Sequence, residues 1–249
     1  MARENEWGYA RIQGELKKLD ITISKSSVAN ILRRNGLPPS PERKGLSWRE
    51  FLSRHADVFL CADMFQKEVW TFQGLATAFV FFVIHLQTRK VLLARATFSP
   101  TNQWLKQQIR HVMWACEDQC IEPRFFLRDN DQLYPEDMDA MLGSSVDTVK
   151  TPFRAPNANS HAERYVLSCK TECLNHLVIF GLNRLQYVVD LYTSFFNENR
   201  PHQGIGNRIP AEYTINDKRQ GGIVPFKAMN VIRKDFLGGL LKSYSRKAA

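Results

Sequence analysis

The sequence predicts an α/β protein: a mixed five-stranded sheet with helices against it, preceded by a small helical segment of helix-turn-helix type. Three observations predict it. Apolar runs rich in Phe, Val and Ile fall between residues 58 and 98, with connections short enough for an antiparallel meander. Beyond residue 99, helical patterns alternate with short strand-like runs. The chain has 249 residues and 44% hydrophobic content, enough for one main core with small appendages.

Taken in order, Gly8 to Leu19 has helical spacing, with Ile12, Leu16 and Leu19 on one side. Ser24 is a good N-cap for a second helix, Lys25 to Arg34, which Gly36 stops and Pro38-Pro39 seals. That helix carries Lys25, Asn30, Arg33 and Arg34, so the pair reads as a DNA-contacting helix-turn-helix fragment or, equally, as a helical hairpin docked on the core. Pro38 to Gly45 is a linker. Strands are expected over Val58 to Phe65, Leu75 to Leu86 and Val91 to Phe98. Ser99-Pro100-Thr101 opens a helix to about Cys120, with Trp104, Ile109, Val112 and Met113 facing inward. A strand at Phe125 to Arg128, a short helix at Glu136 to Leu142 and a strand at Val146 to Lys150 follow. Two helices, about His161 to Asn175 and Leu182 to Asn199, close the domain. Three antiparallel strands followed by helix, strand, helix, strand, helix is the element order of a ribonuclease H-like fold. The expected division is 1–45 for the helical fragment and linker, 51–205 for the main domain and 206–249 for a basic tail.

Charge is distributed unevenly. The net charge is +9, but residues 1–50 hold +4, residues 201–249 hold +6 and the middle holds −1. Basic flanks around a neutral core suit a protein that grips phosphates at its edges and reserves its acids for another purpose. The five cysteines are odd in number and imply a reducing compartment. Cys116 and Cys120, like Cys169 and Cys173, are spaced as small buried thiols on helices; a structural zinc site with His176 would need a tight turn the pairs lack. The longest apolar stretch, Leu75 to Leu86, is 12 residues, too short to span a bilayer, and no membrane association is expected.

Three acids stand out. Asp63 lies inside the apolar run Val58 to Phe65, where an uncompensated carboxylate is costly. Asp129 ends the run Arg124 to Arg128, and Glu163 falls in the first turn of the helix after the loop Pro152 to Ser160. Two strand acids and one helix acid can converge on one point. Asp131 shares a strand face with Asp129, so periodicity alone does not choose between them. Asp129 directly follows the rigid apolar run, whereas Asp131 suits a turn.

The stretch from Asp63 through Arg128-Asp129-Asn130-Asp131 to Ala155-Pro156-Asn157-Ala158-Asn159-Ser160-His161-Ala162-Glu163-Arg164-Tyr165, and then Phe195-Phe196-Asn197-Glu198-Asn199-Arg200-Pro201-His202, resembles the catalytic core of bacterial insertion-sequence transposases and retroviral-type integrases, the Asp-Asp-Glu recombinases. The resemblance implies a metal-dependent phosphoryl transfer that joins a DNA 3′-hydroxyl to a target phosphodiester, with Asp63, Asp129 and Glu163 as catalytic ligands of Mg2+ or Mn2+. It also implies double-stranded DNA as partner, a homo-oligomer on that DNA, and a bacterial cytoplasmic, nucleoid-associated location. Lys170, seven residues beyond Glu163 on one helical face, is similar to the DNA-contacting lysine of integrases. Asn159 is placed to bond a phosphate, to orient Glu163 or simply to cap the helix. The chain departs from the family in three places: the interval of 34 from Asp129 to Glu163 is short, Met64 stands where an aromatic is usual, and Leu167 stands where a lysine is frequent. Asp129 lies nearer the family interval than Asp131 does. Two other readings fit the same residues, a catalytically inactive DNA-binding remnant and a hydrolytic nuclease of the same fold.

Overall fold

The computed structural model describes residues 7–37, 48–129, 134, 142, 145–150, 159–213 and 231–246, with 48–50 as backbone only. The predicted linker at Pro38 to Gly45, most of the predicted helix at Glu136 to Leu142, residue Asp131 and the loop Pro152 to Ala158 lie outside the described residues. Two compact units are present, Met1–Arg54 and His55–Ala249.

In the first unit, helix α1 (Tyr9–Lys17) packs on helix α2 (Lys25–Arg34) through buried Ile12, Val28 and Leu32. The α2 start follows from its sequence, since the Ser24 side chain accepts the Ser27 N–H at 3.0 Å. Leu19, expected on the apolar side of the first helix, is instead exposed, because α1 ends at Lys17. Helix α3 (Trp48–Arg54) completes this unit.

The second unit is built on a five-stranded sheet of β1 (Phe59–Thr71), β2 (Gly74–His85), β3 (Val91–Thr97), β4 (Phe125–Arg128) and β5 (Asp147–Lys150), in the spatial order β3-β2-β1-β4-β5. The first three strands are antiparallel, whereas β4 runs parallel to β1 and β5 parallel to β4. This is the mixed ribonuclease H-like sheet expected from the element order. Helix α4 (Asn102–Asp118), capped by Thr101, covers the face bearing Leu60, Ala62, Phe81 and Phe126 through Leu105, Ile109 and Val112. Helices α5 (Ser160–Glu172) and α6 (Leu182–Glu198) belong to the aromatic layer on the other face, where Phe82 meets Tyr165 at a ring separation of 4.6 Å and Tyr165 meets Phe196 at 4.9 Å. Aromatic pairs of this kind dominate core energetics.

Two elements differ from expectation. Strand β1 continues six residues past Phe65, because Gln66 to Thr71 find partners on β2 and because Trp70 donates to the Ile179 carbonyl at 2.8 Å on its other edge. Residues 206–249 are not simply a tail: Pro210 is buried, and β6 (Val231–Phe236) pairs with β7 (Leu241–Arg246) as a hairpin within the second unit. Gly238 and Gly239 take φ of 68° and 90° in its turn, a region that costs glycine little.

Candidate active site

Asp63 sits on β1 directly across from Phe82 of β2, on the sheet face that also holds the Tyr165 ring. Alternation along the strand explains the placement: Leu60, Ala62 and Met64 face α4, which turns Cys61, Asp63 and Phe65 to the opposite side. The Asp63 carboxyl is raised to about 6 overall, chiefly by burial against this apolar surface. The Met64 N–H, donating to Asp63 Oδ1 at 2.7 Å, pulls it back, the charges of Asp129 and Glu163 push it further up, and Lys170 lowers it. Asp63 therefore feels both other predicted acids and the predicted lysine.

The sheet register explains why Asp129 is one of them. The parallel pairing of β1 with β4 ends at Cys61 and Leu127, and Asp129 two residues beyond comes near enough for its charge to raise Asp63. Asp129 follows the last residue of β4, at the carboxyl end of a strand buried on both sides, with Phe126, Leu127 and Arg128 all inaccessible. Arg128 turns to the other face, where its guanidinium stacks 4.7 Å from the Tyr134 ring centroid.

Glu163 is brought in by α5. Ala162, Tyr165, Ser168 and Cys169 form the buried side of that helix, which leaves Glu163, Leu167 and Lys170 as one exposed or half-exposed stripe. The Lys170 ammonium lies 5.4 Å from the Phe65 ring centroid, which fixes it near the strand that carries Asp63. Asn159 links the two elements. Its side-chain Nδ2 donates to the Ala62 carbonyl at 3.0 Å, while its own carbonyl accepts the Glu163 N–H at 3.1 Å. One residue thus tethers the backbone preceding Asp63 to the backbone of Glu163. Asn159 makes no side-chain cap on α5, contrary to the capping expectation; its Nδ2 is directed to β1 instead. It is only 8% exposed, and its Oδ1 has no partner among the described residues.

The donor set is hard oxygen with one cation at its margin, the chemistry that suits Mg2+ or Mn2+ rather than zinc. Among the described residues, no three His, Cys, Asp or Glu side chains stand close enough together to hold an ion as they are. Carboxylates raise one another's proton affinity and repel until a cation joins them. The cysteines play no part here: Cys61, Cys116, Cys169 and Cys173 are buried thiols, and Cys120 is exposed past the end of α4.

The remaining predicted residues divide by place. Lys25, Arg33 and Arg34 are exposed on α2, in the first unit and hence described apart from the acids. The motif Phe195 to His202 is architectural. Asn197 accepts the Val91 N–H and donates to the Val91 carbonyl, both at 2.9 Å. Arg200 pairs with Glu172, and His202 is buried against Phe196 at a ring separation of 4.3 Å. Sequence reasoning missed the Asn159 tether, for which the sequence holds no signal. It also missed the β6–β7 hairpin, which Gly238-Gly239 between two alternating runs does signal.

Residues 144–210 match the sequence profile of a family described as Integrase core domain. The integrase core match takes in Glu163, Asn159, Lys170 and the Phe195 to His202 motif, and stops short of Asp63 and Asp129. No curated protein matches the sequence. Solved structures similar to the chain include the catalytic core domain of BIV integrase (12% identity, 63% of this chain and 92% of that one, TM-score 0.43). A chain of a simian T-cell lymphotropic virus intasome in complex with PP2A regulatory subunit B56 gamma is similar at 13% identity over 98% of this chain and 84% of that one, TM-score 0.49. The HTLV-2 integrase catalytic core domain in complex with magnesium is similar at 10% identity over 63% and 94%, TM-score 0.43.

Proposed function

We propose that this chain joins DNA strands by metal-dependent phosphoryl transfer, as a transposase or integrase. The observation that carries the reading is Asp63, an acid held on an apolar strand, raised to about 6, and electrostatically coupled to Asp129, Glu163 and Lys170. An acid so placed is poised for a function that a surface charge does not serve. Asp63, Asp129 and Glu163 would hold divalent Mg2+ or Mn2+, with Asp63 between the other two. When bound, such ions neutralise the oxygens of a reacting phosphodiester and lower the barrier to in-line displacement.

The chain's own residues supply position. Asn159 sets the distance between β1 and the start of α5, and thereby between Asp63 and Glu163. Lys170 offers a phosphate a cation on the Glu163 side of the site. The oxygen of a DNA 3′-hydroxyl forms a new bond to phosphorus as the target P–O3′ bond breaks; the attacking hydroxyl yields its proton to solvent and the departing strand keeps a 3′-hydroxyl. Lys25, Arg33 and Arg34, in the first unit, contact duplex DNA. The reading implies a homo-oligomer on DNA and a bacterial cytoplasmic location, and no helix among the described residues is long and apolar enough to cross a membrane.

One observation favours a second reading, an inactive DNA-binding remnant: the acids do not form a three-donor cluster as they stand. A strand-transfer assay with labelled element ends in Mn2+ decides between them. Product formed by the wild type and lost in Asp63→Asn supports the enzyme; duplex binding without product in either supports the remnant, and cleavage without joining identifies a nuclease.

A further inference from the structure

The β6–β7 hairpin has two chemically different faces. Cross-strand pairs share a face, and successive residues alternate between faces. Register pairs Val231 with Arg246, Arg233 with Tyr244 and Asp235 with Lys242, which puts these six side chains on one side. Ile232 with Ser245, Lys234 with Ser243 and Phe236 with Leu241 occupy the other. The second side is docked at its turn end, where Phe236 meets Phe195 of α6 edge-on at 5.4 Å and Leu241 is buried; beyond it Ile232, Lys234 and Ser245 are exposed, the Lys234 ammonium 5.0 Å from the Phe236 ring. Every residue of the first side is exposed, Tyr244 to 64%.

That exposed side carries three cations against one acid, and Asp235 is already engaged by Arg233 at 2.9 Å. Lys242 and Arg246 have no ion pair among the described residues. An exposed tyrosine between them adds a hydroxyl donor of the kind that meets phosphate oxygens. Neighbouring side chains on one face of such a ribbon stand about 5–8 Å apart, so two cations can engage separate phosphates. The docked face fixes the ribbon to the α6 side of the core through Phe195, so the cations are presented by a rigid element. We propose that this face, with Lys242, Tyr244, Arg246 and Arg233, binds the sugar-phosphate backbone of duplex DNA. The inference rests on the DNA-joining reading and adds to it a binding surface in the second unit, where the segment 51–200 supplies no net positive charge of its own.

The test compares charge removal on opposite faces. Binding of the full chain to a labelled random-sequence duplex is measured by fluorescence anisotropy over a salt series in EDTA, so that metal chemistry does not enter. Lys242→Ala/Arg246→Ala should weaken binding about 10- to 100-fold and make the slope of log K against log salt shallower by about 1–2, near 0.9 for each phosphate no longer neutralised. Lys234→Ala, on the docked face, should bind within about twofold of wild type with an unchanged slope. The proposal is overturned if the double variant keeps the wild-type slope, if Lys234→Ala loses as much per charge, or if the weakening is confined to duplex RNA or an acidic peptide used as competitor. A wild-type chain that binds no duplex at all would instead overturn the proposed function, and melting curves of both variants within a few degrees of wild type confirm that folding is intact.

Discussion

The two halves of the family-like motif set do opposite things with their polar groups. At the Phe195 to His202 end, Asn197 spends both ends of its amide on Val91, Arg200 is paired with Glu172, and His202 bonds the Phe196 carbonyl. At the Asp63, Asp129 and Glu163 end, one acid is raised by burial and, to a lesser degree, by its acidic neighbours, and the buried Asn159 Oδ1 has no partner among the described residues. Satisfied buried polar groups specify a fold, whereas an unsatisfied one beside converging acids is a candidate for completion by a ligand. The same sequence signature therefore contains one segment that builds and one that we propose to act.

Substitutions should separate the two. The largest effect is expected from Asp63→Asn, which should reduce metal-dependent strand transfer by about three orders of magnitude or more, roughly 4 kcal/mol of barrier, while leaving the metal-free melting temperature unchanged or higher. A lower melting temperature in EDTA would mean that Asp63 is structural. Next, Asn197→Ala strands the buried Val91 N–H and carbonyl and should cost about 3 kcal/mol in denaturant unfolding, with strand transfer per folded molecule preserved. If it costs activity but not stability, the division between the halves fails.

Acid should act on the building half through His202. Burial holds its imidazole down to about 4, and the Phe196 carbonyl only partly offsets this. The unfolded chain binds a proton at this histidine near pH 6.5 and the folded chain does not until about 4, so its contribution is complete above 6.5 and is lost as pH falls through that window, up to about 3 kcal/mol. His202→Gln should flatten the stability profile between those values; an unchanged slope would assign the acid sensitivity elsewhere. The smallest effect is expected from Asn159→Ala, which should lower the rate about 10- to 100-fold with KM for DNA unchanged, because it loosens Glu163 relative to Asp63 without touching DNA. Asn159→Asp keeps the shape but turns the donor to Ala62 into an acceptor, and should not rescue it; a rise in KM with an unchanged rate would make Asn159 a DNA-binding residue instead.

The same division separates what is legible in the sequence from what is not. The sheet and its helices follow from apolar periodicity, a local property, and Asp63 and Asp129 are legible because an acid in such a run is anomalous. The Asn159 tether is not, since a hydrogen bond across 97 residues leaves no local pattern. The full length of β1 is hidden because Gln66 to Thr71 are polar on one side and become a strand only through β2 and the Ile179 carbonyl. In the C-terminal segment the hairpin is legible only at its turn, where Gly238-Gly239 stands between the two runs.

That Asp63 and Asp129 form the metal-binding pair is tested most directly by the Mn2+-induced shift of the melting temperature in four proteins: wild type, Asp63→Asn, Asp129→Asn and Asp131→Asn. Saturation at about 100 times Kd should stabilise the wild type by about 2.7 kcal/mol. The shift should be kept in Asp131→Asn and lost in Asp63→Asn and Asp129→Asn. An equal shift in all four, or its loss only in Asp131→Asn, would contradict the assignment.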